Sequence, residues 1–353
     1  MSDASTLIQR LMPERSLLRL AAFAIVVMIV FSVMSKPFLS VINFQSMGFQ
    51  VAEVGLLSLA VMLSMLTGGI DLSIVSIASV SAIVTSQLFA ATGASQSSAV
   101  TPVLTALFIV VGMLAGTAIG LVNGLLITRL HITPILATLG TMQLINGLMV
   151  AWTNGQAIYG MPDIFLAIGT GTVFLVPVAI IVLMAAALLT AVFINRTATG
   201  LRLKLVGANP TAARYSGLDN DRVLTLTYLG SALLASLAGI IIASRAASAS
   251  ADYGASYVLV AIVVCMLAGV NPNGGYATVT GVIVAAFTLQ MVASGLNQIG
   301  WNAFHYQIVQ GVLLIAVIGL NTLSDQGVFS GRLGRPRLRR PPAPGAATSE
   351  PGS

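Results

Sequence analysis

The sequence predicts an all-α integral membrane protein of about ten transmembrane helices, at least one of them broken. Three observations carry that expectation. The 353 residues are 57% hydrophobic and only 7% charged, with a mean hydropathy of +0.97, whereas soluble domains carry about 25% charged residues. The apolar runs are continuous, and aromatics make up only 6%, so the alternating strands and aromatic girdles of an outer-membrane barrel are excluded. One run is interrupted by Leu66-Thr67-Gly68-Gly69-Ile70-Asp71-Leu72-Ser73. An Asp near the centre of a bilayer helix costs roughly 2.5–3.5 kcal/mol, so it needs a partner, water or a helix terminus. The paired glycines let the backbone break there, and Asp71 is placed to cap a helix restarting at Leu72.

In chain order, residues 1–19 form a polar, basic N-terminal segment without a small-residue cleavage site, so the first apolar run reads as a retained span. The transmembrane domain covers 20–325, with spans expected near 20–35, 47–66, 72–92, 103–128, 132–152, 172–194, 223–243, 256–270, 276–297 and 306–323. The third follows the Gly-Gly break closely and the eighth is short, so one of them reads as re-entrant. A Pro-, Gly- and Arg-rich tail, 326–353, is expected to be disordered.

Charge sets the orientation. With ten spans, fourteen of the sixteen Lys and Arg fall on one side, and only Lys36 and Arg245 fall on the other. The positive-inside rule then places both termini and the 195–222 loop in the cytoplasm. This accounts for the net charge of +6 without nucleic acid as a partner. Five spans on each side of the midpoint permit two inverted five-helix halves. A second pair, Asn273-Gly274-Gly275, is like Gly68-Gly69 but stands between spans eight and nine.

The chain carries little that could perform covalent chemistry. Its two histidines, His131 and His305, stand at expected span ends, and the single Cys265 lies in an apolar run. No metal-ligand spacing and no nucleophile–base pairing is present. Neither Lys36 nor Lys204 is followed by Ser or Thr, so there is no P-loop, and ATP, if used, is bound elsewhere.

In the loop 195–222, Asn209-Pro210 is a helix-start signal and Gly217 a helix stop. A short helix over 211–216 would then project as a docking knob for a soluble partner, or serve only as a positively charged connector. Among polar residues inside spans, Asn123, Gln143, Asn146 and Gln290 are suited to helix–helix hydrogen bonds. Glu53, expected near the outward end of span two, reads as a water-facing carboxylate or as a contact for a polar substrate or receptor.

Leu66–Ser73 resembles the signature of the permease subunits of bacterial ATP-binding-cassette sugar importers, the ribose, rhamnose, xylose and autoinducer group. Gly200-Leu201-Arg202 and Gly207–Gly217 resemble that family's coupling segment, and 134–141 and 155–160 match further stretches. The resemblance runs from about residue 40 to 325. It implies that the chain translocates a sugar or sugar-like molecule across the inner membrane and is not itself an enzyme. No cofactor is implied for this chain, since ATP and Mg would be bound by a partner ATPase. The implied partners are that cytoplasmic subunit, an extracytoplasmic solute-binding protein, a second permease copy or related permease, and the lipid bilayer. On this reading Gly68, Gly69, Asp71, Ser73 and Glu53 belong to the substrate path or its gate. Gly200, Arg202, Gly207, Asn209, Pro210, Ala212, Ala213, Arg214 and Gly217 belong to the ATPase coupling surface. Val258 and Val260 stand where many members carry acids, which looks closer to rhamnose- or autoinducer-type importers than to ribose permeases. An ion-coupled secondary transporter and a passive facilitator are the alternatives, and neither explains the 200–217 segment.

Overall fold

Helices account for most of the described chain, residues 3–93, 101–254 and 256–325, in a computed structural model. The expected tail lies outside the described residues. Eight of the described helices are long and apolar enough to cross a membrane, and the shorter apolar stretches Tyr257–Leu267 and Phe304–Ala316 occupy the eighth and tenth expected spans.

The order is α1 (Asp3–Met34), a 3-10 turn (Lys36–Leu39), α2 (Val41–Leu66), α3 (Ile74–Ala91), α4 (Pro102–Thr128) and α5 (Pro134–Thr153). There follow α6 (Asp163–Thr170), the antiparallel hairpin β1 (Thr172–Val173) and β2 (Val176–Pro177), α7 (Val178–Arg196), α8 (Ala198–Ala208) and α9 (Pro210–Tyr215). The last are α10 (Asn220–Ala246), α11 (Tyr257–Leu267), α12 (Val279–Gln298) and α13 (Ala303–Asp325).

Several boundaries differ from expectation for local reasons. Helix α2 starts at Val41, not 47, because Ser40 caps it by accepting from the Asn43 N–H at 3.2 Å. The expected sixth span loses 172–177 to the hairpin, where Phe174 and Leu175 turn with positive φ. The 195–222 segment is mostly helical, because Thr197 caps the unforeseen α8 through the Gly200 N–H at 3.1 Å.

Every residue of α2 from Val51 to Leu66 is buried, as suits a helix that is apolar on all sides. Around it pack α3, α7, α10, α11 and α12. Helices α3, α4 and α10 approach through small residues. On α4, Gly112, Gly116, Gly120 and Gly124 recur every fourth position. An added methyl at Gly112 would lie 2.6 Å from the Ser81 carbonyl oxygen, and one at Gly124 3.0 Å from the Thr225 Cα. This small-every-fourth stripe brings backbones together where dispersion and hydrogen bonds, rather than hydrophobic exclusion, hold helices in lipid. Helix α11 has only 11 residues, about 16 Å of rise against a hydrocarbon core of about 30 Å, so it reaches roughly halfway. Its Cys265 thiol is buried and donates to the Ser58 carbonyl at 3.2 Å.

Candidate functional site

The break between α2 and α3 is built by hydrogen bonds that the apolar run could not supply. Gly68, at φ +81°, ends α2. Its N–H donates to the Met65 carbonyl at 2.9 Å and that of Gly69 to the Ser64 carbonyl at 3.2 Å. This glycine-terminated closure satisfies carbonyls that a helix end otherwise leaves bare. Asp71 is not the cap of a helix restarting at Leu72, as the sequence suggested. The helix restarts at Ile74 with Ser73 in the cap position, because Asp71 Oδ1 instead turns the chain by accepting from the Ser73 N–H at 3.0 Å and its hydroxyl at 2.6 Å.

From there a polar network spreads through the interior. Ser231 of α10 donates to Asp71 Oδ2 at 2.9 Å. Asn123 of α4 donates to the Ser73 hydroxyl at 2.8 Å and accepts from Thr141 of α5 at 2.6 Å. The Asp71 N–H donates to Ser64 Oγ at 3.0 Å, and the Leu72 N–H to Thr138 Oγ1 at 3.2 Å. Five helices thus meet on one seven-residue break, and Asp71, Ser73 and Asn123 are wholly buried. The Tyr228 hydroxyl lies over Gly69, 2.5 Å from where a Cβ would stand, and it is buried without a hydrogen-bond partner.

Three separated stretches of backbone converge beside the break. A methyl on Gly207, near the end of α8, would collide with the Leu66 carbonyl oxygen and lie 2.6 Å from the Gly275 nitrogen. One on Gly274 would lie 2.6 Å from the Gly207 carbonyl oxygen and 2.9 Å from the Gly68 nitrogen. The Gly275 N–H donates to the Leu66 carbonyl at 2.9 Å. The two Gly-Gly pairs, which looked alike in sequence, touch each other, with Gly207 wedged against both.

Helix α9 projects beyond this junction. Asn209 Oδ1 accepts from the Ala212 N–H at 2.9 Å, as its position before Pro210 predicts. Gly217, at φ +80°, closes the helix, its N–H donating to Arg214 at 3.0 Å and that of Leu218 to Ala213 at 3.1 Å. Ala213 is the buried foot, while Pro210, Ala212, Arg214 and Gly217 are exposed, as is Arg202 on α8. Asn220, at the start of α10, ties the knob down by donating to the Pro210 carbonyl at 2.9 Å. Gly200 makes the tight elbow between α7 and α8, where a methyl would meet the Ile194 carbonyl carbon at 2.6 Å.

Glu53 is neither water-facing nor near the outward end of its helix. It stands halfway along the lengthened α2, fully buried, and Arg245 is its counter-ion. Arg245 binds through Nε to Oε1 and through Nη2 to Oε2 at 3.0 Å, while the Tyr257 hydroxyl donates to Oε2 at 3.0 Å. The arginine that stood apart from the orientation pattern is therefore consumed by an ion pair. Its outer edge lines an open cavity of about 190 Å³ with Ser46, Phe49, Gln50, Gly169 and Thr170.

Sequence reasoning did not find Ser231, Thr138, Tyr228 or Arg245 at these sites, and it left Asn123 unranked among four polar residues. Asn123 proves to be the buried one in the network, whereas Gln143 is exposed on α5 and Gln290 donates to Gln50 at 3.1 Å. The block 134–141 carried a signal, since Pro134, Thr138 and Thr141 all brace the break. Among the described residues no group of His, Cys, Asp and Glu is placed to hold a metal.

Bundled apolar helices around a broken one, with polar groups spent on hydrogen bonds, define a multi-pass helical membrane protein. Residues 43–318 match the family described as branched-chain amino acid transport system / permease component, and the chain belongs to it. It is similar to the ribose import permease protein RbsC of Bacillus subtilis, 34% identical over 83% of this chain and 89% of that one. The galactose/methyl galactoside import permease protein MglC of Haemophilus influenzae is 31% identical over 81% and 88%. The L-arabinose ABC transporter permease protein AraH of Azospirillum brasilense is 28% identical over 86% and 87%. The similarity to a ribose permease holds in spite of Val258 and Val260. No solved structure matches the chain significantly.

Proposed function

We propose that this chain is the membrane-spanning subunit of an ATP-driven importer of a sugar or sugar-like molecule in the bacterial inner membrane, both termini cytoplasmic. The observation that carries this reading is the exposed, doubly capped α9, three residues beyond Gly207, which packs against the break in α2–α3. A passive facilitator has no use for such a knob.

A cytoplasmic subunit holding ATP and Mg docks on the exposed Arg202, Asn209, Pro210, Ala212, Arg214 and Gly217, while the buried Gly200, Gly207 and Ala213 hold the segment in shape behind them. An extracytoplasmic solute-binding protein delivers substrate at the opposite face. ATP binding favours one opening of the path over the other, since a ligand shifts an equilibrium only through differential affinity. Gly68, Gly69, Asp71 and Ser73 form the inner gate, and Glu53, with Arg245, anchors the outer half. A second permease copy, or a related permease, covers α5. That helix exposes Gln143 between Gly140 and Gly147, both bare of neighbours, a polar group that lipid alone would leave unsatisfied.

The test is uptake of labelled ribose, arabinose and galactose by vesicles holding the chain with its ATPase and receptor. Uptake should require ATP inside and survive an uncoupler; collapse under the uncoupler at constant ATP would favour ion coupling. Arg214→Glu should weaken co-purification of the ATPase by roughly two- to fivefold, the scale of an exposed ion pair. Unchanged assembly would remove Arg214 from the docking surface.

A further inference from the structure

We infer that Gly207 is the positioning residue through which the coupling segment moves the gate, acting on Leu66 and on the Asn273-Gly274-Gly275 turn. The inference deepens the importer reading above and rests on it.

The contact is made by backbone alone. Gly207 meets the Leu66 carbonyl with no room for a methyl, and the Gly275 nitrogen and Gly274 lie against its other side. The Gly275–Leu66 hydrogen bond of 2.9 Å closes the triangle. Side chains at an interface can absorb a small displacement by changing rotamer, but close-packed backbone cannot. Leu66 is the last residue of α2 and Gly68 begins the break, so a shift of α8 is delivered to the point where the chain already departs from helix. Gly207 is also three residues from Pro210, so force on α9 reaches the triangle through a short arm. The same end of α9 is tied at the Pro210 carbonyl by Asn220 to α10, which carries both Ser231, the Asp71 partner, and Tyr228, over Gly69. The break is thereby gripped from two sides by the segment that the ATPase would move. The unpartnered Tyr228 hydroxyl is what an element with a second arrangement would show, since another position of 67–72 can satisfy it.

The test uses the full transporter, with its ATPase, in lipid nanodiscs and a spin label at position 70 (Ile70→Cys). The wild-type background must first bind the ATPase and hydrolyse ATP. Failure at that stage would refute the importer reading and would be seen before any variant is made. With ATP and vanadate the label spectrum should change. Gly207→Ala, and Gly274→Ala approaching the same contact from the other strand, should hydrolyse ATP at the wild-type rate while the spectral response falls about tenfold, a coupling loss of ordinary allosteric size. A full response in either variant overturns the inference. Failure of both to assemble, while Gly311→Ala, at a helical glycine with no neighbour within 4 Å, assembles, also overturns it, because the triangle would then be structural cement. No sugar need be identified for any of these outcomes.

Discussion

Glu53 and Asp71 are carboxylates buried to the same degree in one apolar interior, about 16 Å apart along α2, counting from Ser64 beside Asp71. The chain satisfies them in opposite ways. Glu53 has a full counter-charge in Arg245 and a phenol from Tyr257. Asp71 has only hydroxyls and backbone N–H groups. An ion pair in low dielectric holds its geometry strongly, and breaking one leaves a bare charge. A carboxylate held by serines can exchange partners at modest cost. The difference teaches where this helix is fixed and where it can move: the middle of α2 is riveted, and the break is laced.

Five substitutions would break or sharpen that contrast. Arg245→Met strands the Glu53 charge and should destabilise the protein by about 3–5 kcal/mol, read as a lower unfolding temperature in detergent. Adding Glu53→Gln should recover most of it; no recovery would mean that Arg245 acts by packing. Asp71→Asn keeps the size and the bond to Ser73 but loses the charge-assisted part, typically 1.5–3 kcal/mol for such bonds, so uptake should fall about tenfold or more. Membrane insertion and expression should stay normal, and wild-type uptake would remove Asp71 from the gate. Asn123→Ala cuts the link from Ser73 to Thr141 and should lower stability by about 1–2 kcal/mol, two bonds of ordinary membrane strength. A loss as large as that of Arg245→Met would erase the contrast. Tyr228→Phe removes a hydroxyl that has no partner, so stability should hold or rise by up to about 1 kcal/mol. A clear loss would show that the hydroxyl has a partner after all.

Much of the architecture was legible because lipid leaves the chain few options. Apolar runs of the required length can be little but helices, and the shortness of the eighth span already marked α11. The knob at Asn209–Gly217 was legible because caps are local: Asn before Pro and Gly after Ser specify their own hydrogen bonds. The Asp71 network was only half legible. That Asp71 needed partners followed from its type, but the partners lie at Ser231 and, through Ser73, at Asn123, distances in sequence that periodicity does not bridge. Glu53 was misread because its arginine stands 192 residues away and because α2, capped by Ser40, starts at Val41 and not at 47, which moves Glu53 to its middle. The glycine triangle was invisible for a different reason. A glycine shows that space is short or φ unusual, not which other backbone fills the space, and 68, 207 and 274 are joined only by the fold.

The lone thiol has a practical consequence. Cys265 is sealed beneath α2 with its hydrogen engaged by a carbonyl, so water-borne maleimides and methanethiosulfonates should pass it by. The unmodified chain therefore behaves as a cysteine-free background, and single reporter sites can be introduced at the knob, the hairpin or the break without first disturbing the interior.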